Sequence, residues 1–248
     1  MENVRIQKLL SELGVASRRA VEEMIVEGRI SVNGQIVNAL PCFVDPEEDD
    51  ITVDGKPIRR RQPKRVYYLL NKPKGAICTE ADAQGRPLAS QFVPSQQQRL
   101  YCVGGLDEDS TGLIIFTNDG KLTRELTSRQ STLEMVYVAD IDGCPQEDSL
   151  LPLKRGAFLE GKRTAGLEIT IIEPDPIRST VEIKTTETSN KIIRRIFHNM
   201  GHKIRRMHRR SIGPLTDHSL KTGRFRPLTS RELKLLSGTK RPPRKSRR

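Results

Sequence analysis

Short apolar runs separated by turn-forming residues limit the possible folds of the middle of the chain more than any other feature. The runs lie at 66–70, 113–117, 135–141 and 167–173. Gly, Pro and Asp cluster between them, which is typical of strands joined by turns. Helical patterns are fewer, at 122–126 and 191–200, and there is no regular repeat of strand, helix and strand. The pattern therefore predicts an α+β domain with a mixed, mainly antiparallel sheet.

The first 60 residues have a different pattern and predict a separate small unit. Two helix-like segments come first: Gly14 would end one, Ser17 can cap the other, and Gly28 would end that second helix. A short alternating run follows and contains Asn33-Gly34, a pair typical of a two-residue hairpin turn. The unit is thus predicted as two short helices followed by small strands.

The boundaries of the predicted domains follow from changes in composition. Residues 59–65 are basic, contain a proline and lack apolar residues, which is typical of a linker. The end of the chain is again rich in basic residues and proline, which indicates a disordered tail. We therefore predict a small domain at 1–60, a larger domain at 66–236 and a basic tail at 237–248.

The charge of the chain indicates a polyanionic partner. It has 43 Lys and Arg against 31 Asp and Glu, a formal net charge of +12. Nucleic acid or an anionic membrane surface would bind such a chain. The N terminus lacks the apolar segment of a signal peptide, and no apolar stretch is long enough to span a membrane. We expect a soluble cytoplasmic protein that binds RNA or DNA.

The four cysteines lie more than twenty residues apart. This spacing excludes a CxxC zinc or redox motif and gives a poor disulfide framework. Reduced thiols in a cytosolic protein are the simplest interpretation.

Five basic residues lie on or beside the two predicted N-terminal helices and could contact phosphates: Arg5, Lys8, Arg18, Arg19 and Arg29. A solvated basic surface is the alternative. The order of the helices, the Ser-Arg-Arg that opens the second helix and the Val-Asn-Gly turn resemble the RNA-binding domain of the ribosomal protein S-four type. This resemblance covers roughly residues 3–50, and such domains usually accompany RNA enzymes or ribosomal proteins.

Asp107 is the candidate functional carboxylate. It follows Leu106 and precedes a Gly-containing turn and the buried run at 113–117. Functional groups are often placed at such an edge between a loop and a strand. An ordinary Asp turn is the alternative interpretation of these residues alone.

The segment 191–210 has eight Lys or Arg and three His but no Asp or Glu. An apolar stripe along its helical part leaves the cations on the other faces, where they would repel one another without a polyanion nearby. We therefore predict phosphate binding by Lys191, Arg195, Arg205 and Arg206. The histidines are not spaced as metal ligands, so no metal site is predicted.

Five segments resemble the motifs of one known family, in that family's order. They are LLNKPKGAICT (69–79), GGLDEDSTGLIIFTNDG (104–120), EMVYVADIDG (134–143), SNKIIRRIFHNMGHKIRRMHRRSIGPL (189–215) and RFRPLTSREL (224–233). On these motifs the chain resembles ribosomal-RNA pseudouridine synthases that carry an RNA-binding domain in front of the catalytic domain.

The resemblance implies that the protein isomerises a uridine in ribosomal RNA to pseudouridine, without cofactor or metal. The glycosidic bond would break, the uracil would turn, and carbon five would bond to the ribose. Asp107 would act as the nucleophile or as the base that abstracts a ribose proton. Arg194 would be its ionic partner, and Tyr137 would stack on the uracil.

Further roles follow from the same resemblance. Ile193 would line the base pocket, and Asn71 and Lys72 of the first motif would bind the substrate. The target uridine must be flipped out of folded RNA, which costs a few kcal/mol. The partner would be ribosomal RNA with no membrane involved, and the protein would be a monomer.

The sequence departs from the family pattern at several positions. Gly105 replaces an Arg, Met135 a Lys, Ile192 a Gln, and Ser128-Arg129 a His-Pro. These departures support one alternative function, in which a weakened or inactive synthase fold acts as an RNA-binding or ribosome-assembly factor.

Overall fold

The computed structural model describes residues 3–58, 64–94, 99–128 and 131–237. The described residues divide into two compact units: unit 1 runs to residue 65 and includes Arg99, and unit 2 contains the rest from residue 66. Most of the predicted linker and nearly all of the predicted basic tail lie outside the described residues. The domain boundaries at 60, 66 and 236 stay a prediction.

Unit 1 consists of two helices and six short strands. The helices are α1 (Ile6–Glu12) and α2 (Arg18–Val26), and the strands are β1 (Val4–Arg5), β2 (Ile30–Val32), β3 (Gln35–Ile36), β4 (Phe43–Val44), β5 (Ile51–Val53) and β6 (Lys56–Pro57). β1 pairs with β4, and the others form a four-stranded sheet in the order β3-β2-β5-β6. One buried apolar cluster, with Ile6, Leu10 and Ile25 fully buried, joins the helices to this sheet.

The local signals in unit 1 act as predicted. The Ser17 hydroxyl accepts a hydrogen bond from the Ala20 N–H at 2.9 Å and caps α2. Gly28, just after this helix, has a φ of +71°. Asn33 and Gly34 both have positive φ, at +50° and +80°, as a type I′ hairpin turn requires.

In its described residues, unit 2 is built on a nine-stranded sheet with four α-helices. Its strands are β7 (Tyr67–Lys72), β8 (Tyr101–Val103), β9 (Ser110–Thr117), β10 (Met135–Asp142), β11 (Phe158–Leu159), β12 (Lys162–Arg163), β13 (Leu167–Glu173), β14 (Arg178–Thr185), β15 (Ile204–Ile212), β16 (Leu215–Thr216) and β17 (Phe225–Pro227). Its α-helices are α3 (Gly120–Thr127), α4 (Glu147–Leu150), α5 (Asn190–Asn199) and α6 (Ser230–Ser237), and short 3-10 helices span Ala89–Phe92 and Leu151–Arg155. The main sheet has the order β13-β14-β10-β15-β9-β7-β17, with β8 on β9 and β16 on β15, and β11 and β12 form a separate hairpin.

Antiparallel pairing dominates the main sheet, which confirms the predicted fold class. The one exception among the described ladders is the parallel pairing of β9 with β15. A Cβ on Gly112 would lie 2.3 Å from the Arg209 carbonyl oxygen, and Gly112 has a φ of +107°. A glycine at 112 is therefore what lets these two strands approach.

The two halves of the sheet are buried differently. Along β10, buried and partly exposed residues alternate, so that Met135, Tyr137, Ala139 and Ile141 face the apolar side of α5. The strand β9 is buried on both faces, because α3 and α6 pack on one side and the segment around Ala89–Phe92 on the other. This explains why β9 is a continuous apolar run while β10 alternates. No helix of the described residues is long and apolar enough to cross a membrane.

Candidate active site

Asp107 lies in the loop between β8 and β9, and its side chain closes the turn that enters β9. One carboxylate oxygen, Oδ1, accepts a hydrogen bond from the backbone N–H of Ser110 at 2.7 Å. The backbone carbonyl of Asp107 faces the same N–H at 3.3 Å. The structure therefore contains the Asp turn, and this turn leaves the other carboxylate oxygen, Oδ2, available for further contacts.

The first two turns of α5 supply two donors to Oδ2. Arg194 Nε donates at 2.7 Å and Asn190 Nδ2 at 2.6 Å. Arg194 also donates from Nη2 to the Ser110 hydroxyl at 3.0 Å and from Nη1 to the Ile204 carbonyl at 3.1 Å. These contacts fix the guanidinium between α5, β9 and β15, and they bring Asp107 and Arg194 together as the sequence predicted.

The surroundings of Asp107 keep its carboxylate charged. Its side chain is 19 % exposed, and burial on its own would raise its pKa. Hydrogen bonds from Ser110 and the positive charge of Arg194 outweigh this effect and hold the pKa of Asp107 below its ordinary value. The N-terminal end of α5, with its partial positive charge, favours the anion as well. Asp107 is therefore ionised at neutral pH.

A cavity of about 540 Å³ opens beside this carboxylate. Its walls come from the loop that carries Asp107, the segment after β7, and the start of α5. The lining residues include Ile77, Cys78, Arg86, Gly105, Asp107 and Lys191. A charged group in the wall of a partly apolar cavity is the arrangement expected of a small-molecule or base-binding site.

Asn71 and Lys72 are not among the residues that line the cavity. Lys72 is fully buried, and its Nζ donates to the carbonyl oxygens of Ser110 at 2.7 Å and Pro73 at 3.0 Å. Burial lowers the pKa of Lys72. Asn71 Nδ2 donates to the Leu220 carbonyl at 2.7 Å. This geometry favours a positioning role for both residues, and their predicted contact with the substrate stays a prediction.

Tyr137 and Ile193 are both fully buried in the core under α5. The Tyr137 hydroxyl donates to Met135 Sδ at 3.4 Å and accepts from Arg209 Nη1 at 3.4 Å. Neither residue is among those that line the cavity. The Tyr137 ring lies in the buried cluster that also contains Leu106, and its stacking on uracil stays a prediction.

The sequence interpretation missed three residues of the site: Ser110, Asn190 and Arg209. Asn190 precedes Arg194 by four positions, a spacing that puts both on one side of a helix, and this signal could have found it. Arg209 is fully buried and donates to the carbonyl oxygens of Leu113 at 2.6 Å and Gly104 at 2.7 Å. Its place in a run of exposed cations gave no indication of this burial.

The predicted RNA-binding cations of unit 2 are exposed, and Lys191 lines the cavity. Arg195 pairs with Glu160 at 2.7 Å, and Arg205 pairs with Asp142 at 2.7 Å. Arg206 lies 4.0 Å from Asp140. Exposed pairs of this kind contribute little to stability, so these cations are available to exchange partners with phosphates.

In unit 1, Arg18 and Arg19 are exposed at the start of α2, and Lys8 is partly buried on α1. Arg5 lies over the Phe43 ring, with 5.9 Å from the guanidinium carbon to the ring centre. Arg29 forms a two-pronged pair with Asp54, at 2.7 and 2.8 Å. RNA contact by these five residues stays a prediction.

The departures from the family pattern lie close to the site. Gly105 lines the cavity, and Met135 contacts the Tyr137 hydroxyl. Ile192 and Ser128 line a neighbouring cavity, and Arg129 lies outside the described residues. Within the described residues no group of three metal-ligating side chains converges.

A second cavity of about 550 Å³ lies next to the first and shares Thr127, Thr188 and Ser189 with it. Lys162, Arg163 and Arg195 line it. The adjacent hairpin presents Phe158, 73 % exposed, with the Arg163 guanidinium carbon 5.8 Å from its ring centre. Exposed aromatic rings among cations suit single-stranded nucleic acid.

Comparison with known proteins gives the family. Residues 66–226 match the family model for RNA pseudouridylate synthase, and residues 4–40 match the S4 domain. The ribosomal large subunit pseudouridine synthase B of Bacillus subtilis (strain 168) is 37 % identical over 234 residues, covering 94 % of this chain and 95 % of that protein. An uncharacterised RNA pseudouridine synthase of Aquifex aeolicus (strain VF5) is 36 % identical over the full length of both chains.

A solved structure supports the same assignment. A crystal structure of a pseudouridylate synthase is 27 % identical with a TM-score of 0.66, covering 94 % of this chain and 99 % of that one. The residues aligned with that structure come from both units, and the two family-model matches also fall in both units. The chain belongs to the RNA pseudouridylate synthase family and carries an S4 domain at its N-terminal end.

Proposed function

We propose that this protein isomerises a uridine of ribosomal RNA to pseudouridine and that Asp107 is the residue that reacts. The observation that carries the proposal is the charged Asp107 carboxylate in the wall of a cavity. Its Oδ2 is held by Arg194 at 2.7 Å and by Asn190 at 2.6 Å. A carboxylate kept ionised in this way can act as a nucleophile or as a base on the ribose.

Arg194 and Ser110 would keep the reacting oxygen in place. The guanidinium is itself fixed by the Ile204 carbonyl and the Ser110 hydroxyl. Lys72, which donates to the Ser110 carbonyl at 2.7 Å, would stabilise the same turn from behind. Such preorganised contacts hold the charged group ready without reorganisation at the moment of reaction.

A uridine must leave its base stack to reach the cavity. Unstacking costs a few kcal/mol, which contacts to the flanking RNA must offset. Lys162, Arg163 and Arg195 in the neighbouring cavity, with the exposed Phe158, are placed to supply phosphate and stacking contacts. We propose that the RNA strand next to the target runs through this second cavity.

Ribosomal RNA is the proposed substrate class. The S4-domain match and the name of the Bacillus subtilis relative support it. Pseudouridine mapping of ribosomal RNA from cells with and without the gene tests it. We expect one or a few sites to lose the modification and to regain it when the gene is restored, and an unchanged map would contradict the proposal.

The alternative is an RNA-binding or ribosome-assembly factor without turnover, which Gly105, Met135 and Ile192 favour. It predicts an unchanged modification map together with a defect in subunit assembly.

A cytoplasmic location and a monomeric state are predictions from the sequence. Cell fractionation tests the location, and light scattering tests the oligomeric state.

Deletion of residues 1–60 is expected to weaken RNA binding while the catalytic unit stays folded. The buried apolar clusters of unit 2 consist of residues between 66 and 236, so the deletion removes none of their members. Binding to a ribosomal-RNA fragment should weaken, and the dependence of affinity on salt should become less steep because fewer phosphates are neutralised. A truncated protein that shows no cooperative unfolding would contradict the proposed domain boundary.

A further inference from the structure

Two cysteines lie beside Gly105, in the loop that carries Asp107. Cys102 is the middle residue of β8, and Cys78 lies in the loop that follows β7. A Cβ placed on Gly105 would lie 3.4 Å from Cys78 Cβ and 4.0 Å from Cys102 Sγ. The two side chains therefore converge on the same side of Gly105, although they are 24 positions apart in the sequence.

Cys78 can be reached from the cavity. It is one of the residues that line the cavity, together with Gly105 and Asp107. Residue 105 has no side chain that could cover the thiol. Cys102 is partly buried and is not among the lining residues. A small molecule that enters the cavity would meet Cys78 first.

The surroundings of the pair favour a thiolate on Cys78. Four groups near its sulfur stabilise the charged form: the Cys102 thiol, the backbone N–H of Leu106, and the positive charges of Lys72 and Arg209. Together, these groups lower the pKa of Cys78 to about 7, against the effect of burial. The neighbouring Cys78 sulfur raises the pKa of Cys102, and the partial burial of Cys102 acts in the same direction. One nucleophilic sulfur and one protonated neighbour result.

We propose that Cys78 and Cys102 form an oxidisable thiol pair in the wall of the catalytic cavity, with a small peroxide such as hydrogen peroxide as the oxidant. The oxidation of the pair does not depend on the proposed function. The expected effect of oxidation on turnover rests on that function. The site is the same cavity in which the uridine would lie, so oxidation links the redox state of the thiols to the catalytic loop.

The reaction has two steps. The Cys78 thiolate attacks one oxygen of hydrogen peroxide, the O–O bond breaks, and the products are a sulfenic acid on Cys78 and one water after protonation of the released hydroxide. The Cys102 sulfur then attacks the Cys78 sulfur, an S–S bond forms, and the sulfenic oxygen leaves as a second water. Two electrons pass from the two thiols to one peroxide, and a thiol reductant reverses the change.

Oxidation would disturb the loop that carries Asp107. The anionic sulfur that the Leu106 N–H contacts is lost, and Leu106 is the residue next to Asp107. A bond between Cys78 and Cys102 also pulls on β8, which leads directly into Gly104 and Gly105. We expect turnover to fall on oxidation and to recover with reductant.

Mass spectrometry of the full-length protein after peroxide treatment tests the pair. We expect a peptide linked through Cys78 and Cys102 in the wild type and, in Cys102→Ser, a dimedone adduct on Cys78. Cys42→Ser and Cys144→Ser are matched controls, in which the linked peptide should still form. The linked peptide in the wild type supports the proposal. Its absence overturns the proposal, because a dimedone adduct alone shows one oxidisable thiol and no pair. Neither readout requires turnover, so a failure here is distinguishable from a failure of the proposed function.

The alkylation rates of the cysteines in the wild type give a second measurement, and this comparison requires no variant. At pH 7, iodoacetamide should label Cys78 at least about tenfold faster than Cys42, because burial raises the pKa of Cys42. Gly105→Ala adds a methyl group in ordinary contact with Cys78 Cβ and should slow the labelling of Cys78. Equal rates for Cys78 and Cys42 in the wild type would overturn the proposal.

Discussion

Replacement of Asp107 by asparagine is expected to lower turnover by at least about 10⁴-fold, since it removes the charge of the group proposed to react. The asparagine can keep the contact of its oxygen with the Ser110 N–H, so the turn should survive. Release of tritium from uracil labelled at carbon five in ribosomal RNA measures turnover. We expect the wild type to release tritium, and we expect the variant to release no more than a sample without enzyme.

Asp109→Asn is the matched control. Asp109 lies in the same loop, is 69 % exposed, and pairs with Lys74 at 3.5 Å. Its replacement should leave turnover within a factor of about two, because an exposed pair contributes little. If the wild type itself releases no more tritium than a sample without enzyme, the enzymatic proposal is contradicted and the assembly-factor alternative is favoured.

Replacement of Arg194 by glutamine is expected to lower turnover by about 10²–10³-fold and to change its pH dependence. The guanidinium helps to hold the pKa of Asp107 below its ordinary value. Without it the pKa of Asp107 rises, and the acid side of the pH–rate profile should move to higher pH. Single-turnover rates across the acidic and neutral range measure this shift.

The same substitution should also lower stability. A carboxylate whose pKa is lowered on folding stabilises the fold at pH values above its unfolded pKa of about 3.9, and this contribution is lost as the pH falls through the folded value. Loss of Arg194 removes part of this contribution at neutral pH, and we expect a cost of about 1–3 kcal/mol in urea unfolding.

Arg226→Gln is the control for the loss of an ion pair. Arg226 pairs with Glu232 at 2.7 Å, the same distance as in the Arg194–Asp107 pair. Its replacement should reduce stability and leave the pH–rate profile in place. A profile of Arg194→Gln that matches the wild type would show that the guanidinium does not set the charge of Asp107.

The sequence predicts those parts of the structure that depend on local signals. Ser17, Gly28 and Asn33-Gly34 act through contacts within a few residues, so their roles could be predicted directly. The juxtaposition of Asp107 and Arg194, 87 positions apart, is not a local property. It was predicted from the resemblance of two motifs to one family.

The burial of cations could not be predicted from the sequence. Arg209 lies among Arg205, Arg206 and Arg210, which are all exposed, yet it is fully buried. Its partners are carbonyl oxygens contributed by β9 and by the loop before it, which the charge pattern does not reveal. Lys72 is a second example, because its acceptors are also backbone oxygens, one from the neighbouring Pro73 and one from Ser110 at the start of β9.

The parallel ladder between β9 and β15 has a consequence for the order of folding. The strands from β10 to β16 pair among themselves, and so do β7, β8 and β9. The ladder joins these two groups through partners such as Thr111 and His208, which are 97 positions apart. Closing so long a loop is slow compared with forming a hairpin. Asp107 and Arg194 therefore meet late, and the recovery of catalysis during refolding should lag behind the recovery of secondary structure.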